Sequence, residues 1–132
     1  MKGFTLIETM IAIAILAVVI LIAIPSYTSY IRKGRRIDAI NSLLSISLAQ
    51  ERYRSINTTY GTLAQVWGGV TTSSEGYYTL SISNNTASAY TISATAVGDQ
   101  ANDAVNGVSC TPLQITASSG TITKSPASCW PT

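Results

Sequence analysis

The chain has 132 residues, 46% of them hydrophobic and only 11% charged, and its formal net charge is +2. That length holds one small domain and one membrane segment. There is no histidine, which removes the commonest general base, the usual metal ligand and the Ser-His nucleophile pair. Phosphate-loop, dinucleotide and zinc-ligand spacings are missing too, so composition points away from an enzyme, a metal centre or a bound cofactor.

Met1-Lys2-Gly3 is short, positive and closed by a glycine, and Met10 to Ile24 is an unbroken apolar run of fifteen residues. From Phe4 to Ile24 the one charged residue is Glu8. As a helix this stretch spans about 32 Å, enough to cross a bilayer. A carboxylate within it costs roughly 3 kcal/mol mid-bilayer, so by default Glu8 is functional and needs a cationic partner. Cleavage after Gly3 supplies one, because the new amino group of Phe4 lies one helical turn from Glu8. The bland alternative is a charge near a helix end that snorkels to the headgroups. An ordinary secretory signal loses its apolar stretch on cutting; here the stretch follows the cut and stays.

The helix is expected to continue past the membrane, with Pro25 as a kink or point of melting and Gly34 as a second weak point. Tyr27 and Tyr30 suit an interface, and Arg32, Lys33, Arg35 and Arg36 lie just beyond. A positive-inside count then puts the C-terminal bulk in the cytoplasm, whereas two cysteines suit an oxidising compartment. Ile37, Ile40, Leu44 and Leu48, widened by Leu43, form the stripe expected to pack on a head. Ala39, Ile46 and Tyr53 project to the opposite side, either toward a neighbouring helix or as isolated exposed apolar residues without a role. The helix is expected to end near Ser55-Ile56-Asn57.

Residues 61–76 read as a loop with short structure around Trp67. Tyr77 to Ser83 then alternates with Tyr78, Leu80 and Ile82 on one face, Asn84-Asn85 turns, and Ala89 to Ala96 pairs back. A polar loop runs from Gly98 to Ser109, and Leu113–Ala117 and Thr121–Thr123 form a second hairpin around Ser118-Ser119-Gly120. The fold class is α+β: a long N-terminal helix, half transmembrane and half amphipathic, packed on a sheet of three or four antiparallel strands. Residues 1–3 form the leader, 4–30 the transmembrane half, and 31–132 the amphipathic half and head. Cys110 and Cys129 are read as a disulfide closing about 20 residues, worth about 3 kcal/mol in the chain-entropy account; two free thiols are the alternative. Asp99 and Asp103, with Asn102 and Asn106, have oxygen ligands for calcium, but no bidentate Glu follows, so a solvated polar loop is the preferred reading. Asn57-Thr58-Thr59 and Asn84-Asn85-Thr86 fit the glycosylation acceptor pattern.

The string Gly3-Phe4-Thr5-Leu6-Ile7-Glu8 resembles the leader junction of type IV prepilins and pseudopilins. That resemblance implies a prepilin peptidase that cuts after Gly3 and N-methylates Phe4. It implies a Glu8 that guides docking into a filament by pairing with its own or a neighbour's amino terminus, and a Pro25 that melts or bends the helix there. It places the precursor in a bacterial inner membrane with its head outside the cytoplasm, and the mature subunit in a surface pilus. Partners are then other pilin subunits and the inner-membrane assembly machinery. Cys110 and Cys129 resemble the disulfide that brackets an exposed region in that family, and the closing Cys129-Trp130 resembles PilE-type minor pilins. A minor pilin supporting assembly, adhesion or twitching motility is the expected function; a major pilin and a type II secretion pseudopilin are alternatives. A DNA-receptor pilin for natural transformation is a further one. Tyr77, Tyr78, Tyr90, Trp67 and Trp130 supply aromatics for it, but past the Arg32–Arg36 cluster three cations face five carboxylates, which disfavours phosphate binding.

Overall fold

Leucine, isoleucine and alanine dominate the N-terminal third, and no glycine falls between Phe4 and Lys33, so nothing but Pro25 opposes a continuous helix there. In the computed structural model, which describes residues 3–131, helix α1 runs from Leu6 to Ile56. Met1 and Lys2 of the expected leader lie outside the described residues. Pro25 sits inside α1 and the helix continues through it; the ring removes one ladder bond without ending the element. Nearby, the Thr28 hydroxyl donates to the Ile24 carbonyl at 3.0 Å. Asn57 Nδ2 donates to the Tyr53 carbonyl at 2.8 Å and Arg54 Nη1 to the Asn57 carbonyl at 2.7 Å, satisfying acceptors where the helix stops.

The chain forms two compact units, one up to Arg32 and one from Lys33 onward. In the first, the apolar side chains are exposed, Phe4 at 92% and Leu21 at 73% among them. Among the described residues α1 is the one helix long and apolar enough to cross a bilayer.

In the second unit, α2 (Leu63–Trp67) precedes β1 (Tyr78–Ser83), β2 (Ala89–Ala96), β3 (Ala104–Val105), β4 (Val108–Ser109), β5 (Leu113–Ser118) and β6 (Thr121–Ser125). The main sheet is antiparallel in the order β1-β2-β5-β6, and β3-β4 is a separate small hairpin. The expected polar loop at 98–109 therefore carries structure: a 3-10 turn at Gly98–Asn102, then this hairpin. Ser119 and Gly120, with φ of 49° and 83°, make the two-residue turn between β5 and β6, which requires positive φ at both positions. Residues 71–73 line the outer edge of β1 through a Thr72–Thr79 bridge.

Period-two alternation sends Tyr78, Leu80, Tyr90, Ile92, Ala94, Leu113, Ile115 and Ala117 into the core. The opposite sheet face carries hydroxyls in register, Ser83, Thr91, Thr116 and Thr123 across the four strands. The helix face follows the expectation only in part: Ile40 and Leu43 of the expected stripe are buried, the rest of it is not. Ala39, Leu43 and Ile46 are fully buried against the sheet, while Ile37, Leu44 and Leu48 are 44–56% exposed. The buried face includes polar residues that the head satisfies. Gln50 Nε2 donates to the Gly61 carbonyl at 2.7 Å and its Oε1 accepts from Gly61 N–H at 2.8 Å. Ser47 and Tyr90 hydroxyls meet at 2.9 Å. Gly61 is required by this approach, since a Cβ there would lie 2.6 Å from Val66 Cγ1.

Candidate functional site

Two regions hold the candidate residues, one in each unit. At the start of α1, Thr5 precedes the first helical residue and Glu8 is the third position of the helix. Glu8 Oε2 accepts from Thr5 N–H and from the Thr5 hydroxyl, both at 2.8 Å, and Glu8 N–H donates back to Thr5 Oγ1 at 3.3 Å. This is a reciprocal capping box. The Thr5-x-x-Glu8 spacing signalled it in the sequence, where the membrane cost of the carboxylate drew a different explanation. In this uncut chain Phe4 stands before the helix and carries no free amine, and Glu8 accepts from Thr5; the pairing with the Phe4 amino group is an expectation for the cut chain. Gly3 and Phe4 are both exposed.

The second region joins α1 to the C-terminal staple. Cys110 and Cys129 are disulfide-bonded. Arg36, on the helix face turned to the sheet, holds Asp103 in a two-pronged ion pair, Nε to Oδ2 and Nη2 to Oδ1, each at 2.6 Å. Its Nη1 also donates to the Cys129 carbonyl at 3.4 Å, and Cys110 N–H donates to the Asp103 carbonyl at 2.9 Å. Asp103 is 3% exposed and Arg36 6%, so the charges are removed from water and must satisfy each other. The reading of Asp103 as a solvated loop residue is thereby corrected. Its carboxylate is committed to a guanidinium, which also takes it out of the calcium set considered with Asp99, and among the described residues no group of three acidic or sulfur ligands converges.

Among the described residues three cations lie over aromatic rings: Arg35 over Tyr77 at 4.4 Å, Lys124 over Trp130 at 5.2 Å and Arg54 over Tyr60 at 6.0 Å. Lys124 is remote from the basic turn in sequence. Trp130 follows Cys129, whose carbonyl meets Arg36, so the fold gathers Lys124, the disulfide and the turn holding Arg36. Of the aromatics offered for base contact, Tyr78, Tyr90 and Trp130 are instead core residues, at most 8% exposed. Burial raises the Tyr78 and Tyr90 phenols above their ordinary pKa, against hydrogen bonds with Gln100 and Ser47 that lower them. Trp67 and Tyr77 remain half-buried. With Arg36 and Asp103 cancelling, the second unit has five other cations, Lys33, Arg35, Arg52, Arg54 and Lys124, against four other carboxylates, Asp38, Glu51, Glu75 and Asp99.

Comparison with known proteins agrees with this geometry. Residues 1–24 match the prokaryotic N-terminal methylation motif. A 50-residue stretch is 40% identical to prepilin peptidase-dependent protein D of Escherichia coli (strain K12), covering 38% of this chain and 34% of that protein. Residues 25–114 match the family described as type IV minor pilin ComP, DNA uptake sequence receptor. That match takes in most of the chain, from Pro25 through the first two strands of the sheet and into β5, and the chain belongs to this family of type IV minor pilins.

Proposed function

We propose that this minor pilin is cut after Gly3, methylated on Phe4 and built into a surface pilus, where its head captures DNA for uptake. The observation that carries the DNA reading is the family match over residues 25–114, whose description is that of a DNA receptor. The geometry supports it on charge. Counted from Lys33, with Arg36 paired to Asp103, the second unit carries six cations against five carboxylates, and Lys33, Arg52 and Lys124 are exposed. Phosphate contacts need such exposed cations, and Lys124 on Trp130 has its position set by the ring.

Before assembly the exposed apolar half of α1 suits a bilayer, with the disulfide-bonded head in the oxidising compartment. After the cut, the Phe4 amine becomes a charge partner for Glu8, within the subunit or between neighbours. Assembly exchanges lipid contact for contact with other pilin subunits, and in the second unit Ile37, Leu44 and Leu48 are exposed apolar residues available for such contact.

The test is DNA binding by the mature protein, purified from membranes, at two salt concentrations. Expected is retention of duplex DNA at low salt, falling with a log–log slope of about −2 to −3 for two or three phosphate contacts. Lys124→Ala reduces that slope by about one. No retention at low salt, in a protein shown by mass to be cut and methylated, overturns the DNA reading and leaves the pilin assignment intact.

A further inference from the structure

The main sheet has two edges, and the chain treats them differently. Beside β1, residues 71–73 run as a partial strand: Leu80 N–H donates to the Thr71 carbonyl at 2.7 Å and Ser73 N–H to the Tyr78 carbonyl at 2.9 Å. Beside β6, at the other edge, no segment among the described residues forms such a ladder. We propose that β6 is an assembly edge, on which the β6 strand of a second copy of this chain pairs antiparallel.

The turn fixes which groups face outward. Ser119-Gly120 is a two-residue turn, so Ser118 and Thr121 bond each other and bonding then alternates along the ladder. Thr121, Thr123 and Ser125 turn their N–H and C=O groups toward β5, while those of Ile122 and Lys124 point away from it. All of Thr121 to Lys124 is exposed. Ile122 sits opposite Ala117 and Lys124 opposite Ile115, and both of those partners are buried. Ile122 and Lys124 therefore lie on the face turned to the core. Yet Ile122 is 54% exposed, so the cover over that face stops short of β6. Uncovered apolar surface and unpaired backbone groups meet on one strand, which is the chemistry of a strand awaiting another.

The strand is complementary to itself. With Thr123 set against Thr123 of the second copy, Ile122 faces the other Lys124 and Thr121 faces the other Ser125. The outward N–H and C=O groups of Ile122 and Lys124 then all find partners. The stem of the opposing Lys124 covers Ile122, and no like charges stand directly opposite. A lysine on an edge commonly guards it. Here the Lys124 ammonium is drawn over Trp130, 5.2 Å from the ring centre. An extended segment of a different protein would meet the same backbone groups without this reciprocal match of side chains. The pairing is isologous, as a two-fold dimer requires, and it joins two four-stranded sheets into one. Five residues make a weak contact by themselves; confinement in a membrane or on filaments raises the effective concentration that it needs.

The test is cysteine crosslinking of the full chain in a zwitterionic detergent, where Cys110 and Cys129 are already bonded to each other. In the paired register the two Thr123 residues form a non-hydrogen-bonded pair with Cα atoms about 4.5 Å apart, within disulfide reach. The two Thr121 residues are offset by about 14 Å along the strands, beyond that reach. On mild oxidation, Thr123→Cys is expected to form a dimer about tenfold faster than the equally exposed Thr121→Cys. Ile122→Lys sets lysine opposite lysine twice and slows the Thr123→Cys crosslink about tenfold. Adding Lys124→Glu sets opposite charges at the same places and restores it. Lys124→Pro removes an outward N–H, leaves the ladder to β5 intact and also slows the crosslink; it carries the comparison if Ile122→Lys does not fold. The proposal is overturned if Thr123→Cys crosslinks no faster than Thr121→Cys, if Ile122→Lys and Lys124→Pro leave the rate unchanged, or if Lys124→Glu fails to restore it. A Thr123→Cys crosslink to a different protein, in place of the second copy, in membranes of the expressing cell overturns it as well.

Discussion

Arg36 is the residue whose removal separates charge burial from charge pairing. Arg36→Ala leaves the Asp103 carboxylate buried without a counter-charge, and the expected loss is about 3–5 kcal/mol in urea denaturation of the detergent-solubilised protein. Replacing both partners, Arg36→Met with Asp103→Leu, costs much less if desolvation dominates; an equal loss makes the pair net stabilising. The tyrosines give a pH test. Burial raises the Tyr78 and Tyr90 pKa in the folded state above the unfolded value near 10. Their contribution is therefore full below that value and lost as pH rises through the raised folded values. Tyrosinate absorbance and circular dichroism should show the final tyrosinate signal appearing together with loss of the sheet, as Tyr78 and Tyr90 ionise. Ionisation of Tyr78 and Tyr90 ahead of unfolding would contradict that.

Helix α1 has two apolar faces, and they differ in consequence. Leu43→Ala removes a fully buried side chain from the core, with an expected cost of about 2–5 kcal/mol. The pair Ile37→Asp and Leu48→Asp touches only exposed positions, so stability should stay within about 0.5 kcal/mol at each. Incorporation into sheared pili, read by immunoblot, should fall sharply for that pair and not for a matched Ser45→Asp control. The disulfide spans β5 and β6, so Cys110→Ser with Cys129→Ser should cost about 3 kcal/mol. A shift in the urea midpoint checks this.

For the whole molecule the decisive quantity is intact mass from sheared surface pili, quantified against other pilins. The expected species lacks Met1 to Gly3, carries one extra methyl and is scarce. Abundance equal to the dominant pilin would make the chain a major subunit; uncut protein confined to the membrane would sink the assembly reading.

Much of this was legible in one dimension, because it depends on local order. The Phe4–Ile24 run, its lone Glu8, the end of α1 near Ile56 and the alternation in β1, β2 and β5 follow from helical and strand periods that read neighbours alone. Tertiary structure decided which helix face is buried. Hydrophobicity favoured Ile37, Leu44 and Leu48, but the sheet took the face with Arg36, Ser42, Ser47 and Gln50, because the head supplies partners for three of them, Asp103, Tyr90 and Gly61. Burial of a polar side chain depends on what meets it, and those partners lie 11 to 67 residues away. The same distance hid the gathering of Lys124 with the disulfide, which exists only once remote segments pack.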